Sequence, residues 1–376
     1  MSDSRLGKLA EVLVTYSTEV KPGERVFIMS EDAAIPYIEE VAMRAIRAGA
    51  VVETVVSLEA VFRARLREAS EEALDQKNLI FSTVIEHADV FLSAWGGWNT
   101  RARMHLEPDR IRRALRADAE TRRMFSERMG NGRIRWCGTQ YPTHADGQEA
   151  GMSLEEYQDF VYTAGMLDQP DPVAAWKDLA AKQERWVRYL NRKSELHIVS
   201  AGTDIRVGIG GRRWINCCGK VNFPDGEIFT SPVEDRVEGM IRFNFPGIFQ
   251  GREIEGIELE VKQGKIVRAG AVKGEELLRS LLGTDAGSAL FGEVAIGTNE
   301  NITRFTRNML FDEKIGGTVH MAVGDSMIEA GGKNRSSLHW DMLCDMRDGG
   351  RIYADGELFH QDGLFREDVL GGIGYN

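Results

Sequence analysis

Arg25-Val26-Phe27-Ile28-Met29, a short apolar run behind the turn Lys21-Pro22-Gly23-Glu24, decides how the first half of this chain folds. A helical pattern from Ala33 to Arg47, stopped by Gly49, follows it and leads to a second apolar run at Val51 to Val56. Strand, helix and strand at this spacing predict a crossover unit with parallel pairing, because parallel neighbours need a connection of about a dozen residues or more. An amphipathic opening around Leu6, Leu9, Val12 and Leu13 precedes the unit, and a third strand is predicted over Ala88 to Ala94, entering Trp95-Gly96-Gly97-Trp98. The first half therefore reads as a Rossmann-like layered α/β domain. No GxGxxG or Walker sequence follows any of these strands, so the sheet carries no nucleotide signature. The loop Gly96 to Arg101 leaves a strand end, where open α/β sheets place ligands.

Two helices close this half. Ser153 and Glu156 form a capping box for a helix beginning at Leu154, and Asp171-Pro172 supplies a cap and a first-turn proline for a long helix. The long helix carries Val173, Trp176, Leu179, Trp186 and Leu190 at helical spacing and ends near Lys193, with its tryptophans read as packing residues. From His197 onward, alternating strands with glycine turns take over: Ile198 to Ser200, Asp204 to Val207, Ile241 to Phe245, Ile257 to Val261, Ile266 to Ala271. The expected organisation is an α/β domain with linking helices over residues 1–195 and a sheet-rich α+β metal-binding catalytic domain over 196–376.

The metal expectation rests on Leu338-His339-Trp340-Asp341-Met342. On a strand, His339 and Asp341 point to one face while Trp340 and Met342 point to the core. Thr318, His320 and Ala322 share one face in the same way, with Val319, Met321 and Val323 opposite. His320 is thus an interior histidine, either a satisfied core residue or a metal ligand. Of the others, His87, His105, His144, His197 and His360 read as surface or hydrogen-bonded residues, and Glu313 as a solvated charge in preference to an acid supporting the ligands. Lys333, Asn334 and Arg335 form a glycine-led loop that either contacts substrate or caps its turn.

Composition excludes several classes. The chain has 376 residues, 43% hydrophobic and 28% charged, enough for two cores. Its net charge of −11 argues against a general nucleic-acid binder. No basic-then-apolar leader and no run of about eighteen apolar residues is present, so the expected location is cytoplasmic and not membrane-spanning. Cys137, Cys217, Cys218 and Cys344 lack CxxC spacing and read as free thiols. A soft metal site on Cys217 and Cys218 is disfavoured because no histidine lies near them in sequence.

Asn222 to Pro232, Phe291 to Gly297 and Gly331 to Asp341, with Tyr141-Pro142-Thr143 and Gln148 to Tyr157 in the first half, together resemble one family. It is the metalloaminopeptidase family typified by aminopeptidase T and aminopeptidase S. The resemblance implies metal ligands at Glu227, Glu293, His320, His339 and Asp341, two divalent ions (zinc, cobalt or manganese), and a homodimer open to short peptides or small amides. Three carboxylates against two divalent ions leave a small positive surplus, suited to polarising a carbonyl oxygen. One position departs: the family's HxALGxxY reads His320 to Met327 here, so a metal-site tyrosine has become Met327. A runner-up is a mononuclear iron dioxygenase related to the 2,5-dihydroxypyridine dioxygenases, using His320, His339 and Asp341. Retention of Glu227 and Glu293 argues against it. A further alternative keeps the metals and hydrolyses a non-peptide amide or aryl amine.

Overall fold

The computed structural model describes residues 3–102 and 104–372; residues 1–2, 103 and 373–376 lie outside the described residues, as do the outer ends of the two expected domains. The chain divides into two compact units, one of residues 1–175 with 219–224 and one of residues 176–218 with 225–376.

The first unit is built on a wholly parallel five-stranded sheet. Its order is Val51–Ser57, Arg25–Glu31, Val90–Trp95, Arg135–Gln140 and Asn222–Phe223. The helix Ile35–Arg47 connects the first pair, ending where Gly49 takes a φ of 85°. The third strand starts at Val90 instead of Ala88, because the Ala88 N–H is donated to the Val84 carbonyl and closes the preceding helix. The capping box forms as expected, with Ser153 accepting from the Glu156 N–H and Glu156 from the Ser153 N–H.

The second unit packs two antiparallel sheets around one core. Eight strands, from Lys265–Gly270 at one edge to Leu364–Phe365 at the other, make the larger sheet. The smaller runs His339–Asp345, Thr318–Gly324, Phe291–Gly297, Glu227–Thr230 and Ile215–Cys217. Ile198, Ile205, Ile241 and Leu259 of the larger sheet join Val294, Ile296, Val319, Met321, Trp340 and Met342 of the smaller in a single apolar cluster. Burying each such side chain contributes about 1.5–3 kcal/mol. The helix Pro172–Leu190 adds Val187 and Leu190 to this cluster. That packing is why the chain divides between Ala175 and Trp176, earlier than the expected boundary near residue 195. The glycine that ends the His320 strand is required: Gly324 has a φ of 101°, and a Cβ there would lie 2.0 Å from the Leu338 carbonyl oxygen. Gly324 pairs with His339, so this close approach sets the register of the HxD strand.

His87, His105 and His144 are exposed, and His197 bonds Asp204 at 2.7 Å. His360 differs from the surface or hydrogen-bonded expectation: it is fully buried, edge-on to Phe365 with ring centroids 4.9 Å apart. Burial pushes its pKa down to about 4, outweighing the Gly363 backbone and the Asp362 charge. A histidine depressed in the folded state contributes stability above its unfolded pKa of about 6.5, and that stability is lost as pH falls toward the folded value. Denaturant unfolding at pH 8 and pH 5 should therefore show the parent losing about 2 kcal/mol more than His360→Phe. Equal losses in the two proteins would refute this role.

Candidate metal centre

The core fixes what the opposite face of the small sheet presents. With Ile228, Val294, Ile296, Val319, Met321, Trp340 and Met342 turned inward, the alternate residues Glu227, Glu293, His320, His339 and Asp341 share the outer face. Pairing sets them side by side: Glu227 opposite Gly297, Ala295 opposite His320, Ala322 between Glu293 and Asp341, and Gly324 opposite His339. The five residues expected from sequence thus come together.

Their ligand atoms form two overlapping groups. In one, His320 Nε2 lies 3.3 Å from Glu227 Oε2 and 3.6 Å from Glu293 Oε1. In the other, His339 Nε2 lies 3.3 Å from Glu293 Oε2 and 3.6 Å from Asp341 Oδ2. Glu293 belongs to both and gives one oxygen to each imidazole. Within each group the ligand atoms lie within 4.8 Å of one another, close enough to hold an ion. Side-chain exposure is 1% at His320 and 30% at His339, so the second group is the open end. His339 Nδ1 sits 2.9 Å from the Asp325 carbonyl, which accepts its proton and leaves Nε2 free for a cation.

Electrostatics show what the site lacks. Burial would push both histidines down, but hydrogen bonding to Glu293 and the surrounding carboxylate charges drive them well above the usual imidazole value. Burial would raise Glu293, yet the same two imidazoles hold it below the ordinary carboxylate range. Burial dominates at Glu227 and Asp341 and raises both. Protons on the imidazoles stand in for metal charge, and ion binding would displace them. Glu227 Oε2 and His320 Nδ1 are buried without a hydrogen bond, and an ion between Glu227 and His320 would satisfy the first. The donor set of oxygen and nitrogen therefore fits divalent cations.

Two further residues lie beside this set, of which only Lys314 escapes sequence reasoning. Glu313 is only 17% exposed and offers an oxygen within 4.8 Å of ligand atoms on His320 and Asp341, so it is no solvated charge. Lys314 is fully buried, contacts Glu313 Oε1 and lies with Nζ 3.6 Å from Glu227 Oε1. Glu313 falls seven residues before His320 in the chain, a turn leading into the ligand strand, which was the available signal. A lone lysine in such a turn has no periodic signature. Cys217 also groups with Asp225 and Glu227, being paired in register with Glu227 despite the distance in sequence.

Met327 packs beside an apolar patch of Phe229, Ala295 and Ala330, with Ile215 and Cys217, and Phe229 and Ala295 lie on the same strand faces as Glu227 and Glu293. Asn334 is buried and donates to the Gly287 and Gly324 carbonyls, while Arg335 Nη1 donates to the Asn334 and Ser326 carbonyls. Arg335 thus closes the turn from Ser326, and Asn334 ties it to Gly287. In the first unit, the Gly96 N–H bonds Glu31 and the Trp98 N–H bonds Glu59, each at 2.9 Å, at the mouth of a cavity of about 220 Å³.

The chain is 30% identical over 390 residues to aminopeptidase T of Thermus thermophilus, covering 93% of this chain and 95% of that one. Aminopeptidase 2 of Geobacillus stearothermophilus is 27% identical, covering 92% and 93%. The solved structure of wild-type AmpT from Thermus thermophilus superposes with a TM-score of 0.84 at 27% identity, over 96% of this chain and 99% of that one. The 2,5-dihydroxypyridine dioxygenase of Pseudomonas putida shares the fold, with a TM-score of 0.58 at 16% identity over 97% and 98% of the two chains. The thermophilic metalloprotease (M29) family model matches residues 2–365, and the chain belongs to that family.

Proposed function

We propose that this protein is a metal-dependent aminopeptidase that releases N-terminal residues from short peptides, with Glu227, Glu293, His320, His339 and Asp341 as its metal ligands. The observation that carries the reading is Glu293, which turns one oxygen to each of two imidazoles and so would serve as a ligand in both groups that could hold an ion. Zinc, cobalt and manganese all suit these donors. Divalent ions there supply Lewis acidity, lowering the pKa of water and polarising the scissile carbonyl.

The chain's own groups do the rest. Asp325 holds His339 in the tautomer that leaves Nε2 unprotonated toward the site. Glu313, beside His320 and Asp341 yet outside the five ligands, accepts the proton of the attacking water and returns it to the leaving amine. Charge supports the ion pair: Glu313 and Lys314 cancel, leaving three carboxylates against four positive charges. A homodimer and a cytoplasmic location complete the reading. Among the described residues no helix is long and apolar enough to cross a membrane.

The test is hydrolysis of aminoacyl amides and short peptides by the purified protein, with chelator, with metal restored, and with and without oxygen. Chelator-sensitive, oxygen-independent release of the first residue is expected. Strict oxygen consumption with iron as the sole effective metal would overturn the reading in favour of the dioxygenase chemistry. Met327 sets a second expectation, because a thioether cannot donate a hydrogen bond to a developing oxyanion whereas a tyrosine hydroxyl can. Met327→Tyr should raise kcat on aminoacyl amides by about tenfold to a hundredfold. An unchanged rate in a folded, fully metallated variant would show that the pocket is shaped for a substrate needing no such donor.

A further inference from the structure

Lys314 is the one lysine or arginine that pairs with any of the five ligand carboxylates and imidazoles among the described residues. Its side chain is fully buried, and its Nζ is held between Glu227 Oε1, at 3.6 Å, and Glu313 Oε1. The backbone keeps it there: its N–H is donated to the Phe311 carbonyl at 3.0 Å, and its own carbonyl accepts the Asn299 N–H at 3.1 Å. These bonds fix the backbone from which the enclosed side chain reaches the two carboxylates.

The consequence falls on one half of the centre only. Glu227 has one oxygen committed to the ammonium, which confines it to Oε2 as a donor and puts a fixed positive charge beside any ion shared with His320. Among the described residues no lysine or arginine forms an ion pair with Glu293, His339 or Asp341, whose ion-pair contacts are with one another and with His320. Two ion positions of similar donor chemistry thus differ by an ammonium that lies against the carboxylate of one of them, its charge offset in part by Glu313 on its other side. In a buried, poorly screened site that difference is large.

Resting on the metal-centre reading above, we propose that Lys314 makes the two ion positions unequal, its ammonium partly replacing a divalent ion on Glu227. The protein then holds one ion firmly at Glu293, His339 and Asp341, and a second, at Glu227, Glu293 and His320, at least about a hundredfold more weakly. Lys314 acts here through Glu227, as a positioning residue that sets metal stoichiometry.

The experiment is calorimetric titration of chelator-stripped full-length protein with Zn²⁺ and with Co²⁺, with bound metal counted by elemental analysis after desalting. The parent should retain one equivalent and show a separate, weaker second event. Lys314→Met, similar in length but uncharged, should tighten the second event by at least about tenfold and leave the first unchanged, while Lys314→Arg should restore the inequality. Two equally tight equivalents in the parent would overturn the proposal without touching the metalloenzyme reading. A folded Lys314→Met that binds its second ion no better than the parent would overturn it in the same way. Absence of any tight equivalent would overturn both. If Lys314→Met does not fold, the parent isotherm alone decides.

Discussion

Glu293→Ala is expected to leave the protein folded, empty of tightly bound metal, and at least about a thousandfold less active on aminoacyl amides. Glu293 has an oxygen within 3.6 Å of each imidazole, with Oε1 on the His320 side and Oε2 on the His339 side. Removing it takes a donor from each ion position at once. It also removes the carboxylate that most strongly holds His320 and His339 in their charged forms, so His339 loses its nearest carboxylate and His320 keeps only Glu227 in ion-pair contact. The fold should survive because Glu293 lies on the outer face of its strand, while its neighbours Val294 and Ile296 make the core contacts. His320→Ala should be milder in metal content, since it spoils only the weaker position and leaves Glu293, His339 and Asp341 in place. Elemental analysis, a thermal melt and kcat/KM on one aminoacyl amide make the comparison. A Glu293→Ala protein that keeps its full metal complement and its rate would remove the bridging carboxylate from the mechanism.

The ligand strands could be read from sequence because a period of two leaves little freedom once one face is known. Val319, Met321 and Val323 announce a buried face, and His320 must then look the other way. The HxD strand obeys the same rule, with Trp340 and Met342 inward. The parallel sheet was legible for a related reason: apolar runs separated by a helix admit essentially one hand of crossover. Local rules of this kind fail where the decisive partner is remote. The strand Asn222–Phe223 is two residues long and exists because Gly138 and Thr139 offer an open edge to it. The helix Pro172–Leu190 looked like a closing element of the first half, but Gln183 reaches the Asn216 side chain and the Cys217 and Glu227 carbonyls, tying it to the ligand sheet. Charged residues mislead most. Glu313 and Lys314 stand together in an ordinary turn, and a Glu-Lys pair in a turn is usually solvated. Only the fold shows that both side chains point inward, where each stabilises the other's burial.

Glu313→Gln should lower kcat by about a hundredfold to ten-thousandfold while leaving the bound metal in place. The argument is one of position and charge. Glu313 offers an oxygen within 4.8 Å of His320 and Asp341, so it borders the ions' surroundings, yet it is more exposed than Glu227 and Glu293 and can reach a water there. Its contact with Lys314 keeps an oxygen anchored and leaves the other to take and return a proton. Glutamine preserves the shape and the contact with Lys314 through its carbonyl, but it cannot carry that proton. The loss should therefore appear in kcat more than in KM. Metal content separates this role from the competing one. A variant that loses activity together with about one equivalent of metal would make Glu313 a ligand, and one that keeps both metal and rate would leave the proton to water alone.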